Sequence, residues 1–407
     1  MSALPSADVQ VVRRLAAQCR ELAQSEEYEA RRRRWRAHND RRSGERAPVW
    51  CRPAAVWKDI LPQSSLQCTD PTCRAVEYSL RQHLYKDTVG DDHILEPWWG
   101  VGAAFDCSTE HTWGVRIPPQ VAGTELGGFR YDPPIKSLDD YDRLTVPQFA
   151  YNQERTERAI GQMAELLGEA LPVRPVCAPP LGPQLGTYLD RLRGMEPMLN
   201  DLAFAPERVH RAMAKLTEGV LASMRAAEAT GLLTTNHHEP MYCSGPVNGD
   251  PGDGNVGLHN LWTSANSQEF EVVSPRMQEE FLLSYQKVIF QQFGAVQYGC
   301  CEDLSQKIDI VLSIPNLRIF VSSAWTDLDR VIEACGTEYT IMWRQAAAAV
   351  VFPDGLEPIR EHLEEGLRKL QGYHYQIVLR ELETLQGHPD RLREWARTAI
   401  ELAEKYA

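Results

Sequence analysis

Short apolar runs recur along the chain and alternate with longer stretches in which apolar residues return every three or four positions. Apolar runs of about four to eight residues predict buried strands. They lie at 47–51, 94–101, 173–177, 232–236, 295–300, 319–323 and 340–343. Because helical stretches separate several of these runs, the pattern predicts parallel strands joined through βαβ units.

The predicted helices show the period of about 3.6 residues that is typical of an amphipathic helix. They lie at 7–36, 206–230, 275–293, 304–313, 326–335 and 389–406. In the third of them, Ser274 stands where an N-cap is expected and Gly294 where the helix should end.

The alternation of elements predicts an α/β fold, namely a (β/α)8 barrel over residues 47–407 that follows an N-terminal helical extension over residues 1–46. A chain of 407 residues is long for one domain, but α/β barrels commonly reach this size as a single unit. The stretch 245–257 is rich in glycine and aspartate but lacks the Gly-Lys-Ser/Thr ending of a phosphate loop. We interpret it as a flexible loop or lid over the active site.

Composition narrows the classes of partner and compartment. A net charge of −13 argues against a nucleic-acid partner, because an acidic surface repels phosphate backbones. No apolar run reaches the roughly 18 residues of a membrane span, and the N-terminus lacks the apolar core of a secretory signal. We therefore expect a cytoplasmic protein with no membrane contact, whose ten cysteines are reduced.

The arginine-rich run 31–36 is the one strongly basic segment. It favours either an anion-binding patch or a solvated helix face. Glu26, Glu27 and Glu29 lie at helical spacing from these arginines and can pair with them, so we favour the solvated face.

Polar and reactive side chains follow four of the predicted strands. Barrel enzymes carry their catalytic residues at the carboxyl ends of the strands, so these side chains should converge at one end of the barrel. They are Asn236, His237, His238 and Glu239 after one strand, Cys300, Cys301, Glu302 and Asp303 after the next, Ser322, Ser323 and Trp325 after the third, and Arg344 and Gln345 after the fourth. This convergence predicts an enzyme active site.

Four segments of the chain resemble one family of barrels. They are DDHILEPWWGVG at 91–102, the stretch 192–218 that begins LRGMEP, the stretch 267–294, and the stretch 298–328 that begins YGCCED. Here the chain resembles the uroporphyrinogen decarboxylase-like superfamily, which also contains the methylcobalamin:coenzyme M methyltransferases. The YGCCE, IPNLR and SSAW motifs point to a separate branch of it. The resemblance implies a barrel enzyme that acts on a small molecule, and a homodimer.

The carboxylate-binding segment of the decarboxylases is only partly present. They carry PVW-x-MRQAGRY after the first strand, whereas here Pro-Val-Trp at 48–50 is followed by Cys51 and Arg52. Arg52 is therefore the residue of this segment that we expect to bind a substrate carboxylate. Arg344 is expected to bind a carboxylate or phosphate, because a buried guanidinium requires an anionic partner.

Four further residues are expected around the substrate. Asp92 matches by position the pocket-facing aspartate of the decarboxylases. Trp99 and Trp325 stand at strand ends, where an indole either walls the pocket and stacks on the substrate or packs in the core. Asn236 is expected to bind the substrate at the end of its strand.

The methyltransferase branch binds zinc through a His-x-Cys pair and a later cysteine. By position, Cys301 takes the place of the first cysteine, Gly299 replaces the histidine, and Arg344 stands on the strand where the later cysteine would lie. A rearranged zinc site would use His237 or His238 together with Cys301 and Glu302.

Strand alternation separates the two adjacent cysteines. Consecutive residues of a strand point to opposite faces, so Cys300 and Cys301 should not bind one ion together. Family position favours Cys301 as the reactive thiol, with Glu302 beside it and Cys300 packed behind. His238 is the histidine that we expect to take part in catalysis.

Three functions remain open from the sequence. The first is methyl transfer through an activated or zinc-bound thiolate, with a corrinoid protein as partner. The second is a metal-independent decarboxylase or lyase, in which Asp92, Arg52 and Arg344 orient a carboxylated substrate. The third is a barrel that binds a ligand or a partner protein without catalysis.

Overall fold

The structure is a computed structural model that describes residues 4–42, 44–118, 121–122, 129–130, 132–252 and 255–407. The strands are β1 Val49–Cys51, β2 Trp99–Gly102, β3 Phe105–Cys107, β4 Val121–Ala122, β5 Phe129–Arg130, β6 Phe149–Tyr151, β7 Val173–Val176, β8 Trp262–Ala265, β9 Ala295–Tyr298, β10 Leu317–Ser322, β11 Thr340–Gln345 and β12 Tyr375–Leu379.

The helices alternate with these strands over most of the chain. They are α1 Ser6–Ala23, α2 Glu26–Asn39, α3 Trp57–Ile60, α4 Pro71–Val89, α5 Gln153–Leu167, α6 Leu185–Arg193, α7 Met195–Phe204, α8 Pro206–Glu228, α9 Pro275–Gln278, α10 Ser284–Phe290, α11 Ile308–Leu312, α12 Leu328–Cys335, α13 Ala348–Val351, α14 Glu357–Leu370 and α15 Arg391–Lys405. A π-helical turn, Glu279–Leu283, joins α9 to α10, so the predicted helix 275–293 is present with one irregular turn.

A six-stranded parallel sheet forms the centre of the fold, in the order β1-β12-β11-β10-β9-β8. It confirms the predicted α/β class and the parallel pairing. β2 and β7 form a separate parallel pair. Residues 232–236 do not form the predicted strand, but they bridge the two pieces: Thr234 N donates to Cys177 O (3.1 Å), and the Asn236 amide bonds the backbone N and O of Trp262.

The six-stranded sheet is buried on both faces. On one face Val321, Met342 and Val378 pack with Trp262 and Ala295 into an inner cluster. On the other face alternate residues of the same strands pack against the helices, with Trp395 of α15 and Leu363 of α14 among their contacts. Burial of each such side chain contributes about 1.5–3 kcal/mol. The carboxyl ends of the strands are thereby held at one edge.

The predicted helix 7–36 is divided into α1 and α2. The two helices meet at Ser25, whose hydroxyl caps the start of α2 by accepting a hydrogen bond from Tyr28 N. The ion pairs Arg31–Glu27 and Arg32–Glu29 confirm the expected pairing within the helix.

The expectation of a solvated arginine face is wrong for Arg31 and Arg32. Both side chains are buried, and they donate to the carbonyl oxygens of His93 and Leu95 respectively. These arginines therefore anchor α2 to the segment that precedes β2.

The predicted lid 245–257 is described except for residues 253 and 254, which lie outside the described residues. Its first part is tied down, because Gly245 N donates to the Asp40 carboxylate and Asn248 Nδ2 to His259 O. Within the described ranges, none of the helices has both the length and the apolar character that crossing a membrane requires.

Candidate functional site

A tight turn after β9 presents the two adjacent cysteines. Gly299 begins this turn with φ +110°, a conformation that side chains rarely adopt. A Cβ at this position would lie 2.9 Å from Cβ of Val321 and 3.1 Å from its carbonyl oxygen. Glycine is therefore required both for the backbone angle and for the close approach of the turn to β10.

The Glu302 carboxylate fixes the shape of the turn. It is buried and accepts hydrogen bonds from Ser267 N (2.7 Å), Ser267 Oγ (3.1 Å) and Cys300 N (2.9 Å). Burial raises the pKa of Glu302, and the backbone donors partly oppose this rise. Both carboxylate oxygens thus accept hydrogen bonds, and through Cys300 N the carboxylate fixes the backbone that carries the two cysteines.

The two thiols face each other. Cys300 Sγ and Cys301 Sγ lie 3.5 Å apart. The contact with the Cys301 thiol, followed by the charges of Arg344 and Arg380, lowers the pKa of Cys300, although burial opposes this. The same contact with Cys300, together with burial and the Glu381 carboxylate, raises the pKa of Cys301. These surroundings favour the thiolate at Cys300 and the protonated thiol at Cys301.

Arg344 supplies the buried positive charge of the site. Its Nη1 donates to Cys300 O (2.7 Å) and Glu381 Oε1 (2.9 Å) and lies 3.8 Å from Cys300 Sγ. Its side chain is completely buried. Among the described residues, Nε and Nη2 of Arg344 are buried and have no hydrogen-bond partner.

Arg380 and Glu381, which follow β12, belong to the site although the sequence analysis did not select them. Glu381 Oε1 lies 3.3 Å from Cys301 Sγ, and Arg380 Nε lies 3.9 Å from the same oxygen. Glu381 has a positive φ of 58°, a strained conformation that often marks functional sites. The signal was available, because the run YQIVL at 375–379 is followed directly by Arg-Glu, as at the other strand ends.

A cavity of about 320 Å³ opens beside Cys301 and Glu381. Ser323 and Thr384 add hydroxyl groups, while the rest of the lining is mostly apolar and includes the alanines at 346–348. Trp325 and Phe352 also line it and are 71% and 64% exposed, respectively. A small apolar group can therefore reach Cys301 past an aromatic rim, and the role of Trp325 in substrate binding stays a prediction.

The two histidines line a different cavity, of about 910 Å³. His238 packs edge-on against Trp98 with ring centroids 5.1 Å apart, and Arg174 lies over the same indole. Burial lowers the pKa of both His237 and His238. This cavity does not include Cys301 or Glu302, so the structure does not bring the histidines to the thiols.

The other predicted site residues divide between the site and the scaffold. Arg52 follows β1, and its charge acts on Arg380, so it lies at the same end of the sheet as Arg344. Asp92 instead binds Arg34, Arg46 and Val49 N.

Trp99 and Asn236, which were expected to contact the substrate, make structural contacts instead. Trp99 packs among the apolar residues between α1, α4 and α5, while its neighbour Trp98 faces the larger cavity, because adjacent strand residues point to opposite sides. The Asn236 amide uses its oxygen and nitrogen to hold β8.

The predicted zinc ligands do not fit a metal site. Among the described residues, no three His, Cys, Asp or Glu side chains lie close enough to hold one ion. Both Glu302 oxygens are bound by N–H and O–H donors, and the histidines line another cavity. We therefore derive no chemical step through zinc.

Fold and site together define a parallel α/β protein with a charged thiol pair at the carboxyl edge of its sheet. No family model matches the sequence, and no curated protein matches it. Among solved structures, the fold is similar to that of a methyltransferase from Methanosarcina mazei, with a TM-score of 0.55 and 13% identity over 93% of this chain and 99% of that chain. At this identity the likeness shows the fold alone.

Proposed function

We propose that the protein is a methyltransferase of the uroporphyrinogen decarboxylase-like barrel type that acts on a small molecule through the Cys300–Cys301 pair. The observation that carries the proposal is the contact of Cys300 with both the Cys301 thiol and the buried Arg344 guanidinium. A thiolate is the nucleophilic form of cysteine, and neighbouring cations stabilise it. The methyltransferase whose fold is similar supports the same reaction class.

In the proposed reaction, Cys300 is the methyl acceptor and the small molecule is the donor: the Cys300 thiolate attacks the carbon of the donor's activated methyl group. A sulfur–carbon bond forms, the bond between the methyl group and its carrier breaks, and its electron pair leaves with the carrier. Arg344 and the Cys301 proton hold the thiolate before the attack. Glu381 holds the Cys301 thiol and lines the cavity where the substrate would lie. The resemblance implies a corrinoid carrier, held by a partner protein, as the methyl donor.

The proposal includes a (β/α)8 barrel over residues 47–407, with residues 1–46 as its helical extension. Closure of the barrel is supported by backbone contacts at both gaps in the six-stranded sheet. Asp92 N donates to Val49 O (2.7 Å) beside β1, and residues 232–236 contact both Cys177 and Trp262 beside β8. A ring of strands with its chemistry at the carboxyl ends is the arrangement of barrel enzymes.

The proposal is tested with methylcobalamin as the donor. We expect the peptide that contains residues 300 and 301 to gain the mass of one CH2 group, located at Cys300 by tandem mass spectrometry. Cys300→Ser should abolish this gain, whereas Cys335→Ser, a change to a buried cysteine of α12, should leave it intact. Absence of methylation in the wild type, with the thiols reduced and the protein folded, would exclude methylcobalamin as a donor and contradict the methyl-acceptor role.

A second candidate function is favoured by the free donors of Arg344. Its Nε and Nη2 atoms form the edge of a guanidinium that binds carboxylates in a bidentate manner. Arg52 and Arg380 add positive charge at the same end of the sheet. We propose the decarboxylase or lyase of a carboxylated substrate as the alternative, which release of carbon dioxide from a panel of small carboxylic acids would detect.

A further inference from the structure

The Cys300–Cys301 pair has the geometry of a reversible oxidation site. The sulfur atoms lie 3.5 Å apart, so a disulfide requires them to approach by only about 1.5 Å. Cys301 lines an open cavity, and Cys300 is itself partly exposed, so a small oxidant can reach both thiols. Most of the other cysteines of the described residues are buried.

We propose that Cys300 and Cys301 form a site for a hydroperoxide, which oxidises them to a disulfide between adjacent residues. The Cys300 thiolate attacks one oxygen of ROOH; the S–O bond forms, the O–O bond breaks, and ROH leaves after taking a proton. Cys301 then attacks the sulfur of the resulting sulfenic acid; the S–S bond forms and water leaves. Starting from one thiolate and one thiol, the pair loses two electrons and one proton, solvent supplies the second proton, and the hydroperoxide is reduced to an alcohol and water.

The surroundings supply what each step needs. Arg344 stabilises the attacking thiolate of Cys300. Once Cys300 is a neutral sulfenic acid, its charge no longer opposes ionisation of Cys301. The Glu381 carboxylate, which lies 3.3 Å from Cys301 Sγ, takes the Cys301 proton and passes it to the hydroxyl group that leaves Cys300 as water. A resolving thiol beside a charged, accessible thiolate is the arrangement of redox-sensitive cysteines.

The disulfide should be easily reduced. Adjacent Cα atoms are about 3.8 Å apart across a trans peptide, closer than the roughly 4.4–6.8 Å at which disulfides are relaxed. Strained disulfides have more oxidising potentials and are typical of labile or regulatory sites. Oxidation would therefore act as a reversible block. The loss of methyl transfer on oxidation rests on the proposed function, whereas formation of the disulfide does not.

The test treats the reduced full-length protein with one equivalent of hydrogen peroxide, alkylates free thiols with N-ethylmaleimide and maps the peptides by mass spectrometry. We expect the peptide with residues 300 and 301 to lose the mass of two hydrogens and all alkylation, and dithiothreitol to restore both. In Cys301→Ser, dimedone should trap a sulfenic acid at Cys300. The matched control Cys107→Ser, which changes a partly exposed cysteine without a thiol neighbour, should behave as the wild type.

Two results would overturn the proposal and need only the wild-type protein. One is an unreacted pair after treatment, and the other is a sulfinic acid at Cys300 while Cys301 remains open to alkylation. Methylation of Cys300 without disulfide formation would reject the oxidation site alone. Disulfide formation without methylation would instead reject the proposed methyl transfer and leave the oxidation site supported.

Discussion

Nη1 of Arg344 contacts two atoms of Cys300: it donates to the carbonyl oxygen at 2.7 Å and lies 3.8 Å from the sulfur. Arg344 belongs to β11 and Cys300 follows β9, so the contact spans the intervening strand β10. Because the guanidinium is buried, its charge is weakly screened and acts strongly on the thiol. This contact places a buried positive charge beside the thiol pair, which favours the nucleophilic thiolate form of Cys300.

Arg344→Lys should raise the pKa of Cys300. Lysine keeps the charge but lacks the planar fork that binds Cys300 and Glu381 together. We expect the pH at which iodoacetamide alkylation of Cys300 falls to half its plateau to rise by about one unit, which corresponds to about 1.4 kcal/mol less stabilisation of the thiolate. The control Arg360→Lys alters a surface ion pair with Glu401 and should leave this half-plateau pH unchanged. An unchanged half-plateau pH in a folded Arg344→Lys protein would reject the role of Arg344.

Gly299→Ala should destabilise the turn that holds the thiols. The substitution adds a Cβ at 2.9 Å from Val321 to a backbone with φ +110°, so strain and overlap act together. We expect a loss of about 2–4 kcal/mol in the free energy of unfolding, measured by denaturant titration. Gly231→Ala is the matched control, because its φ is +65° but its Cβ would meet no atom within 4 Å, and it should cost only about 1 kcal/mol. Equal losses in the two variants would contradict the close-approach argument.

Asp92→Asn should weaken the fold without changing the thiols. The carboxylate is buried and binds Arg34 and Arg46, so its loss leaves these arginines with only the more exposed carboxylates of Glu45 and Glu404. We expect a loss of about 3 kcal/mol in the free energy of unfolding and an unchanged rate of Cys300 alkylation. Asp106→Asn removes an exposed pair with Arg155 and should cost less than about 1 kcal/mol. A slower alkylation rate in Asp92→Asn would place Asp92 in the site after all.

The fold class could be predicted because buried parallel strands leave a clear apolar signal. Six of the seven predicted strands are present at or near their expected positions. β8 was missed because its sequence, Trp-Thr-Ser-Ala, has no apolar run, and its extended state comes from pairing with β9. The sequence analysis overlooked the apolar run that forms β12. It therefore did not select Arg380 and Glu381, which follow that strand.

The central residues of the site could be predicted from the sequence, but the contacts between them could not. The turn 299–302 and Arg344 were identified from their positions at strand ends. Strand alternation favoured Cys301 over Cys300, but the strand ends at Tyr298, so alternation does not apply to the turn. The charge of Cys300 depends on Arg344 and Arg380, which lie far along the sequence and meet it only in the folded chain.

The pH dependence of Cys300 alkylation tests the central claim most directly. The rate of reaction with iodoacetamide follows the thiolate fraction, and tandem mass spectrometry assigns it to Cys300 rather than Cys301. Because Cys301, Arg344 and Arg380 lower the pKa of Cys300, the rate should already be at its plateau at neutral pH and should fall to half only below neutral pH. A rate that falls to half near the value of a free thiol, about 8.5, would contradict the claim that Cys300 is held as a thiolate.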